Sequence, residues 1–518
     1  MWNKKFFITN IDLILILITY SLLAIFSMKY YHFILGGDGI SYINTAMEYF
    51  NGDYYNAING YWSPLYSWLA VPFLYFGHLP YDAPYILRAV SFIAGFFTII
   101  SISRLATIFK FNKLTKRALL LTSIPMVLFF SIFYDTPDVV VTFILFFYLS
   151  VIFDIKYPNT SLNGVWSGIF GGLAFLAKAF MFPFFVIHFI IFNIWHYFKN
   201  FKTKRNILKN LAIGLGVFLL ISGLWIGTLS YKYGELTIST SGKYNYAMVG
   251  PEYQHHPLYF VGLVNLPNPN ASSVWDDPSS IKLNSWNPLG SVKNLSFQLK
   301  IIGNNLFRTV VIFEYYCLLS LLILISALWF ALKKNVEISF KSNLQYILVT
   351  IFLYLGGYCL VAVEERYLWP IIILIVFTGF YMISKTYDNK IINSNLRNVF
   401  LVLLIFSAVF SPIYELTIYP NFDDDSRYLS KFLISEYGIH GNLASNKWEK
   451  TQSLSYYLGT KFYGLPKKTN NSNELQDELE LYNIDYYFVW YNSTNINLSS
   501  YKEITGGRIE FLRIYSRI

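Results

Sequence analysis

Charge is scarce in this chain: Asp, Glu, Lys and Arg make up 14% of its 518 residues, whereas 55% are hydrophobic. A soluble globular domain carries about a quarter charged residues, so the composition excludes one and requires a polytopic membrane protein. Cysteine is nearly absent. The two present, Cys317 and Cys359, fall inside apolar runs, which excludes a disulfide framework and a thiolate metal site. There is no internal repeat, no low-complexity tract and no Gly-rich phosphate loop followed by Lys, so nothing points to an ATP-driven machine. Acids are in the minority, 30 against 40 Lys and Arg, for a net charge of +10. In a membrane protein such an excess belongs to cytoplasmic loops and sets orientation, so no nucleic-acid partner is expected.

What the chain has is long apolar runs, at about 11–31, 85–107, 118–133, 137–154, 164–178, 180–198, 208–229, 309–332, 344–362, 367–384 and 398–417. They predict roughly eleven transmembrane helices, several of them short. The first follows Lys4 and Lys5 and lacks a small-residue cleavage site, so it reads as an uncleaved span. The stretch "SPLYSWLAVPFLYFG" is too short and too Pro-interrupted to cross, and reads as an interfacial or re-entrant piece. With the N-terminus cytoplasmic, the inside loops include "KFNKLTKR", "HYFKNFKTKRNILKN" and "ALKKNVEISFKSN", as the positive-inside rule requires. The extracytoplasmic segments are then 32–84, "YDTPD", the turn near Lys178, 231–308, "VEERY" and everything after about Pro420.

From Pro420 the pattern changes. "ELQDELELYNIDYYFVWYN" runs from an amphipathic helix into a continuous apolar strand. The fold expected is an α-helical polytopic membrane domain over 1–419, with external loops 32–84 and 231–308, followed by a small extracytoplasmic α/β domain over 420–518.

Two acids sit close to lipid in the first external segment, "GGDGISYINTAMEYFNGDYYNAINGYWSPLYSWL": Asp38 and Asp53. An ionisable group at membrane depth is a functional hypothesis by default. The order Asp38, three residues, Tyr42, a further helix, "NGDYYNAINGYW" and then "SPLYSWL" resembles the first external loop of the lipid-dependent glycosyltransferases of the C superfamily (GT-C). The likeness is to family 39, which holds the protein O-mannosyltransferases and aminoarabinose transferases. "YILRAVSFIAGFFTIISISRLATIFK" resembles that family's second span with its early Arg, "YDTPDVVVTFILFFYLSVI" the span that opens on an acid, and "GVWSGIFGGLAFLAKAFMFPFFV" the Gly-rich span ending in Lys. The likeness covers about the first 200 residues. The chain departs from the family pattern in having Asp38-Gly39 where Asp-Glu is common, and Trp62-Ser63-Pro64 where a Lys precedes the Pro pair.

The resemblance implies an enzyme that moves a sugar, with inversion, from a polyprenyl-phosphate donor to an acceptor on the outer face. Such a transfer needs a base for the acceptor proton, a role worth about 10²–10⁴-fold. Asp38, matched to the family's catalytic Asp, is the candidate general base; it is alternatively the N-cap of the helix that follows. A phosphate leaving group needs cations. Arg88 and Lys178, which match family positions, and Arg366 in "EERY" lie at the right depth to bind the donor phosphate; each is alternatively a snorkelling anchor. Tyr42, Trp62, Asp135, Asp138, His255, His256, Glu364 and Glu365 are the substrate-binding candidates. One of Asp135 and Asp138 would serve equally as a helix N-cap, and "PEYQHHPLYF" as plain loop. Trp275 and Trp286 could stack on a sugar ring. No cofactor or metal is expected, a divalent cation being the alternative means of holding phosphate. The partners implied are the polyprenyl-phosphate sugar, the bilayer of the plasma membrane and a glycan, lipid or protein acceptor. A transporter or flippase of lipid-linked sugars is the rival reading, and a catalytically inactive relative a third.

Overall fold

The computed structural model describes residues 4–31, 33–199, 203–253, 256–418, 424–469, 471–491 and 496–518. The chain forms two compact units. One comprises Met1–Tyr30, Arg88–Leu236 and Asn287–Pro420. The other comprises Tyr31–Leu87, Thr237–Trp286 and Asn421–Ile518.

The first unit is helical. Each of the eleven apolar runs falls on helix. Eight helices among the described residues are long and apolar enough to cross a membrane, nine if one bent pair counts as a single span. Two more, Asp138–Ile152 and Leu162–Ala177, are apolar but shorter. The protein is a multi-pass membrane protein. The Glu365–Asp388 helix is central, with 89% of its apolar window buried, as expected of a helix apolar on all sides.

The run at 309–332 is not one straight span. It is two helices, Val292–Tyr316 and Ser320–Leu332, meeting at 105°. Cys317 is extended (φ −154, ψ 97) and ends the first helix. The amide groups thereby left without helical partners are satisfied locally: Leu319 N donates to Ser407 Oγ at 2.9 Å and Leu321 N to Glu314 Oε1 at 3.3 Å. Such satisfaction is what permits a break in an apolar environment.

The Leu162–Ala177 helix is Gly-rich because it packs directly on backbone. A Cβ at Gly164 would lie 2.6 Å from Asn210 O, and one at Gly168 2.5 Å from Gly214 O, both on the Lys204–Tyr233 helix. Small residues at helical spacing allow that approach. Close packing fixes the helix, and the helix ends at Lys178.

The second unit is built on a five-stranded sheet of order β2-β1-β3-β5-β4. Its strands are β1 (Asn442–Ser445), β2 (Lys461–Phe462), β3 (Tyr486–Trp490), β4 (Tyr501–Glu503) and β5 (Leu512–Arg517). The first three are parallel, and β5 runs antiparallel to β3 and β4. All five residues of β3 are buried, which explains its unbroken apolar sequence. The helices Asp424–Tyr437, Trp448–Leu458 and Ser472–Leu481 accompany the sheet. Residues 237–286 join the sheet at its β2 edge: Ser273 bridges Phe462 in parallel, Phe462 N donates to Ser272 O at 2.8 Å, and Val264 N donates to Tyr463 O at 3.0 Å. The first external segment supplies the helix Gly37–Phe50 and two short helices, Tyr54–Ala57 and Leu65–Ala70, the latter running into a 3₁₀ turn at Val71–Tyr75.

Candidate active site

In the second unit everything turns on the Gly37–Phe50 helix. Its N-cap is Gly36, so Asp38 lies inside the first turn and is not the cap. Asp38 Oδ1 accepts a hydrogen bond from Trp275 Nε1 at 2.8 Å. Further along the same helix, Ser41 Oγ donates to Trp275 O at 2.9 Å. Asn44 Nδ2 donates to Ser272 Oγ at 2.7 Å and to Asp276 Oδ2 at 3.0 Å. Glu48 Oε1 accepts from Asn268 Nδ2 at 3.0 Å. Positions 38, 41, 44 and 48 recur at helical spacing and share one face. That polar stripe is the seat on which residues 268–276 lie.

Asp276 anchors the segment from the other side. It is buried, accepts from Ser272 N at 2.7 Å, and its carbonyl accepts from Asn59 Nδ2 at 2.6 Å. Burial pushes its carboxyl up to about 6, against the opposing pull of these hydrogen bonds. Trp62 Nε1 donates to Trp275 O at 3.0 Å. Tyr42 and Trp62 are 4% and 8% exposed, with ring centroids 5.2 Å apart, and the Trp62 ring lies 6.0 Å from that of Trp275. His256 lies against the Trp275 indole at 5.1 Å between centroids. Its Nδ1 accepts from Leu258 N, which leaves the proton of the neutral ring on Nε2. Nε2 is buried with no hydrogen-bond partner among the described residues. Burial pushes the imidazole down to about 4, although nearby Asp38 favours its charged form. His255 lies outside the described residues. Trp286 stacks on Tyr246 at 5.0 Å. Asp53 caps the short helix Tyr54–Ala57.

The C-terminal part of this unit closes on the same helix. Gln452 presses on Gly37 so tightly that a Cβ there would lie 2.3 Å from its Oε1, and Trp448 Nε1 holds that oxygen at 3.0 Å. Ser453 Oγ donates to Leu35 O at 3.2 Å.

The cations belong to the first unit. Arg88 Nη2 and Asp135 Oδ1 form an ion pair at 3.2 Å, with side chains 0% and 1% exposed. Arg88 Nη1 also donates to Ser131 O at 3.1 Å. Lys178 Nζ meets Asp138 Oδ1 at 2.5 Å, and Thr136 Oγ1 donates to Asp138 Oδ2 at 2.7 Å. Asp138 stands in the first turn of its helix, where the dipole favours an anion. Lys178 Nζ lies 3.8 Å from the centroid of the Tyr367 ring, and the Arg366 guanidinium lies 5.2 Å from the same centroid. Arg366 Nε bonds Glu364 Oε2 at 2.8 Å, and here the side chains are 16% and 44% exposed. Glu365 Oε2 accepts from the hydroxyls of Tyr316 at 2.9 Å and Tyr134 at 3.4 Å. Two cations therefore flank one aromatic ring, each with a carboxylate at hand. Among the described residues no three His, Cys, Asp or Glu side chains come together as a metal cluster.

No family model matches the chain, and no curated protein matches it in sequence. Solved structures do. The archaeal oligosaccharyltransferase AglB from Archaeoglobus fulgidus, in complex with an inhibitory peptide and a dolichol-phosphate, superposes with a TM-score of 0.58 at 11% identity, over 95% of this chain and 70% of that one. ArnT from Cupriavidus metallidurans, bound to undecaprenyl phosphate, gives 0.57 at 12% identity over 98% of both chains. Both are lipid-dependent glycosyltransferases of the GT-C superfamily. The chain has the GT-C fold.

Within this GT-C fold, one residue singled out for another role and several not singled out at all prove central. Trp275, read as a sugar platform, hydrogen-bonds Asp38. Tyr367 stands between Lys178 and Arg366, and Tyr134 and Tyr316 hold Glu365. Only the stripe Asp38, Ser41, Asn44 and Glu48 left a signal, its helical spacing. The others are assembled by residues far apart in the chain.

Proposed function

We propose that this protein is an inverting membrane glycosyltransferase that takes its sugar from a polyprenyl monophosphate. The acceptor nucleophile attacks the anomeric carbon from the face opposite the phosphate, the carbon–oxygen bond to phosphate breaks, and Asp38 receives the acceptor proton. The polyprenyl phosphate that leaves carries developing negative charge, and Lys178 and Arg366 are the groups that meet it. A positively charged clamp of this kind acts mainly on the transition state. Arg88, enclosed with Asp135, is a support of the helical unit rather than a phosphate ligand. The observation that carries the reading is Asp38 itself: a carboxylate in the first turn of a helix, held by an indole N–H, in a chain with the GT-C fold. The lipid phosphates bound by AglB and ArnT support a donor of the same class here.

The transfer takes place on the extracytoplasmic face of the plasma membrane, with the N-terminus in the cytoplasm. Reporters fused after Ile518 and within 200–208 should therefore report opposite sides, and finding both on one side would undo the placement. The enzymatic test uses purified protein in lipid nanodiscs with radiolabelled polyprenyl-phosphate sugars. The parent should release or transfer the sugar, and Asp38→Asn should insert normally and do so at least about 100-fold more slowly. Equal rates in the two would remove Asp38 from the chemistry, and no turnover in the parent with any such donor would refute the class.

A further inference from the structure

A general base works only if its carboxylate is held in one orientation, because displacement of roughly 1 Å can cost about 100-fold in rate. Carboxylates of freely rotating side chains do not meet that condition. The question is what restrains Asp38.

The second unit holds a device suited to the task. Residues 272–276 are hooked to the Asp38 helix at two consecutive points, through Ser41 to Trp275 O and through Asn44 to Ser272 and Asp276. The segment is also fixed to the sheet through Ser273 and Phe462. The Trp275 carbonyl accepts from both Ser41 and Trp62, and its amide donates to Ser273 Oγ at 3.2 Å. Its ring is wedged among Trp62 at 6.0 Å, Tyr61 at 6.2 Å and His256 at 5.1 Å. The backbone and the ring of this tryptophan are held on several sides, and its Nε1 donates to Asp38. A rigid donor costs no reorganisation when the reaction occurs. The titratable groups around it are His256 on the ring, and Asp276 and Glu48 along the seat.

We propose that Trp275 is the positioning residue of the general base, its indole N–H fixing the Asp38 carboxylate for proton transfer. The inference rests on the reading of Asp38 as base. It predicts that Trp275→Phe, which keeps a ring and loses the donor, lowers kcat for sugar transfer roughly 10-fold to 100-fold, the range for a hydrogen bond to a charged group. Donor KM should stay within about 2-fold, so that the loss falls on kcat. A purely structural role would show as lost folded protein, with kcat per folded enzyme unchanged. Should Trp275→Phe fail to fold, benzothienylalanine inserted at position 275 by codon suppression replaces the N–H with sulfur and preserves the shape; the same loss is expected.

Asp38→Asn is assayed beside these variants. If Asp38→Asn is inactive while the Trp275 variants keep the parent kcat, the positioning role is wrong and the base reading stands. If Asp38→Asn transfers sugar at the parent rate, both fall.

Discussion

Arg88 offers the sharpest test of how the helical unit uses its charges. It and Asp135 are almost wholly enclosed, 0% and 1% exposed, and they meet at 3.2 Å. Removing one partner of such a pair leaves an uncompensated buried charge, which costs about 3–5 kcal/mol, whereas replacing both by apolar residues of similar volume is often neutral or better. Arg88→Met alone strands the Asp135 carboxylate, so it should lose about 3–5 kcal/mol; the guanidinium bond to Ser131 O is lost with it. Asp135→Leu alone strands the guanidinium and should cost about the same. The pair Arg88→Met/Asp135→Leu should return to within about 2 kcal/mol of the parent, which makes the coupling at least about 4 kcal/mol and well above the error of a double-mutant cycle. Equilibrium unfolding in mixed detergent, read by tryptophan fluorescence, supplies the four values. Single variants that unfold like the parent, or a double variant no better than the sum of the singles, would refute the reasoning. The folded double variant then answers the functional question. If Arg88 only supports the clamp, sugar transfer survives within about 10-fold, one hydrogen-bond network's worth of positioning; if Arg88 grips the phosphate, transfer is lost although the fold is restored.

Three further outcomes are expected. Glu364→Gln should tighten binding of the polyprenyl-phosphate donor, about 1.5-fold to 5-fold by surface ion-pair magnitudes, since Glu364 is the resting partner of Arg366; weaker binding, measured by fluorescence anisotropy of a labelled donor, would count against the clamp. Gly37→Ala drives a Cβ to 2.3 Å from a Gln452 oxygen that Trp448 holds in place, so it should destabilise by about 1–3 kcal/mol, and adding Gln452→Ala should restore part of the loss; an unrelieved loss would refute the contact. For Asp276 the sign is worked from its raised carboxyl: a folded value of about 6 against 3.8 gives stability present below about pH 4 and lost as pH rises through about 6, on the order of 3 kcal/mol. His256, pushed down to about 4, acts oppositely, losing stability as pH falls from about 6.5 toward 4. Asp276→Asn should therefore gain in melting temperature over the parent at pH 7 and lose that advantage by pH 4.5, and a constant difference across that range would disprove the shift.

Apolar run length is a local property, and all eleven runs emerged on helix for that reason. The break at Cys317 was not legible, because "YYCLLS" holds neither Pro nor Gly. What makes it tolerable is supplied by Ser407, 88 residues away from Leu319, and by Glu314. The helix-to-strand pattern of "ELQDELELYNIDYYFVW" became the Ser472–Leu481 helix and β3. Residues 237–286 have no period to read, since they take their shape from the edge of β2 and from the polar face of the Asp38 helix. Asp135 and Asp138 were legible as acids at an outer surface, but not their partners. Arg88 lies 47 positions before Asp135, and Lys178 lies 40 after Asp138.

Those partners order the three cations as phosphate ligands. In the helical unit each carries a carboxylate at hydrogen-bond or ion-pair distance, so an arriving phosphate has to displace an acid or share its cation. Displacement is cheap where the acid can turn into water. Glu364, 44% exposed, has that freedom, so Arg366 can change partners at little cost. Lys178 is intermediate: its Asp138 is 4% exposed but is also held by Thr136 and by the helix dipole, so the carboxylate stays satisfied when the ammonium turns part of its charge toward a ligand. Asp135 has no such exit, and Arg88 could reach a phosphate only by stranding a carboxylate in a low-dielectric interior, a penalty that exceeds what a shared hydrogen bond returns. The same burial that made Arg88 conspicuous as a charge inside an apolar run thus makes it the cation least able to exchange its carboxylate for a phosphate, and under the proposed function the exchangeable pair around Tyr367 is the one that would.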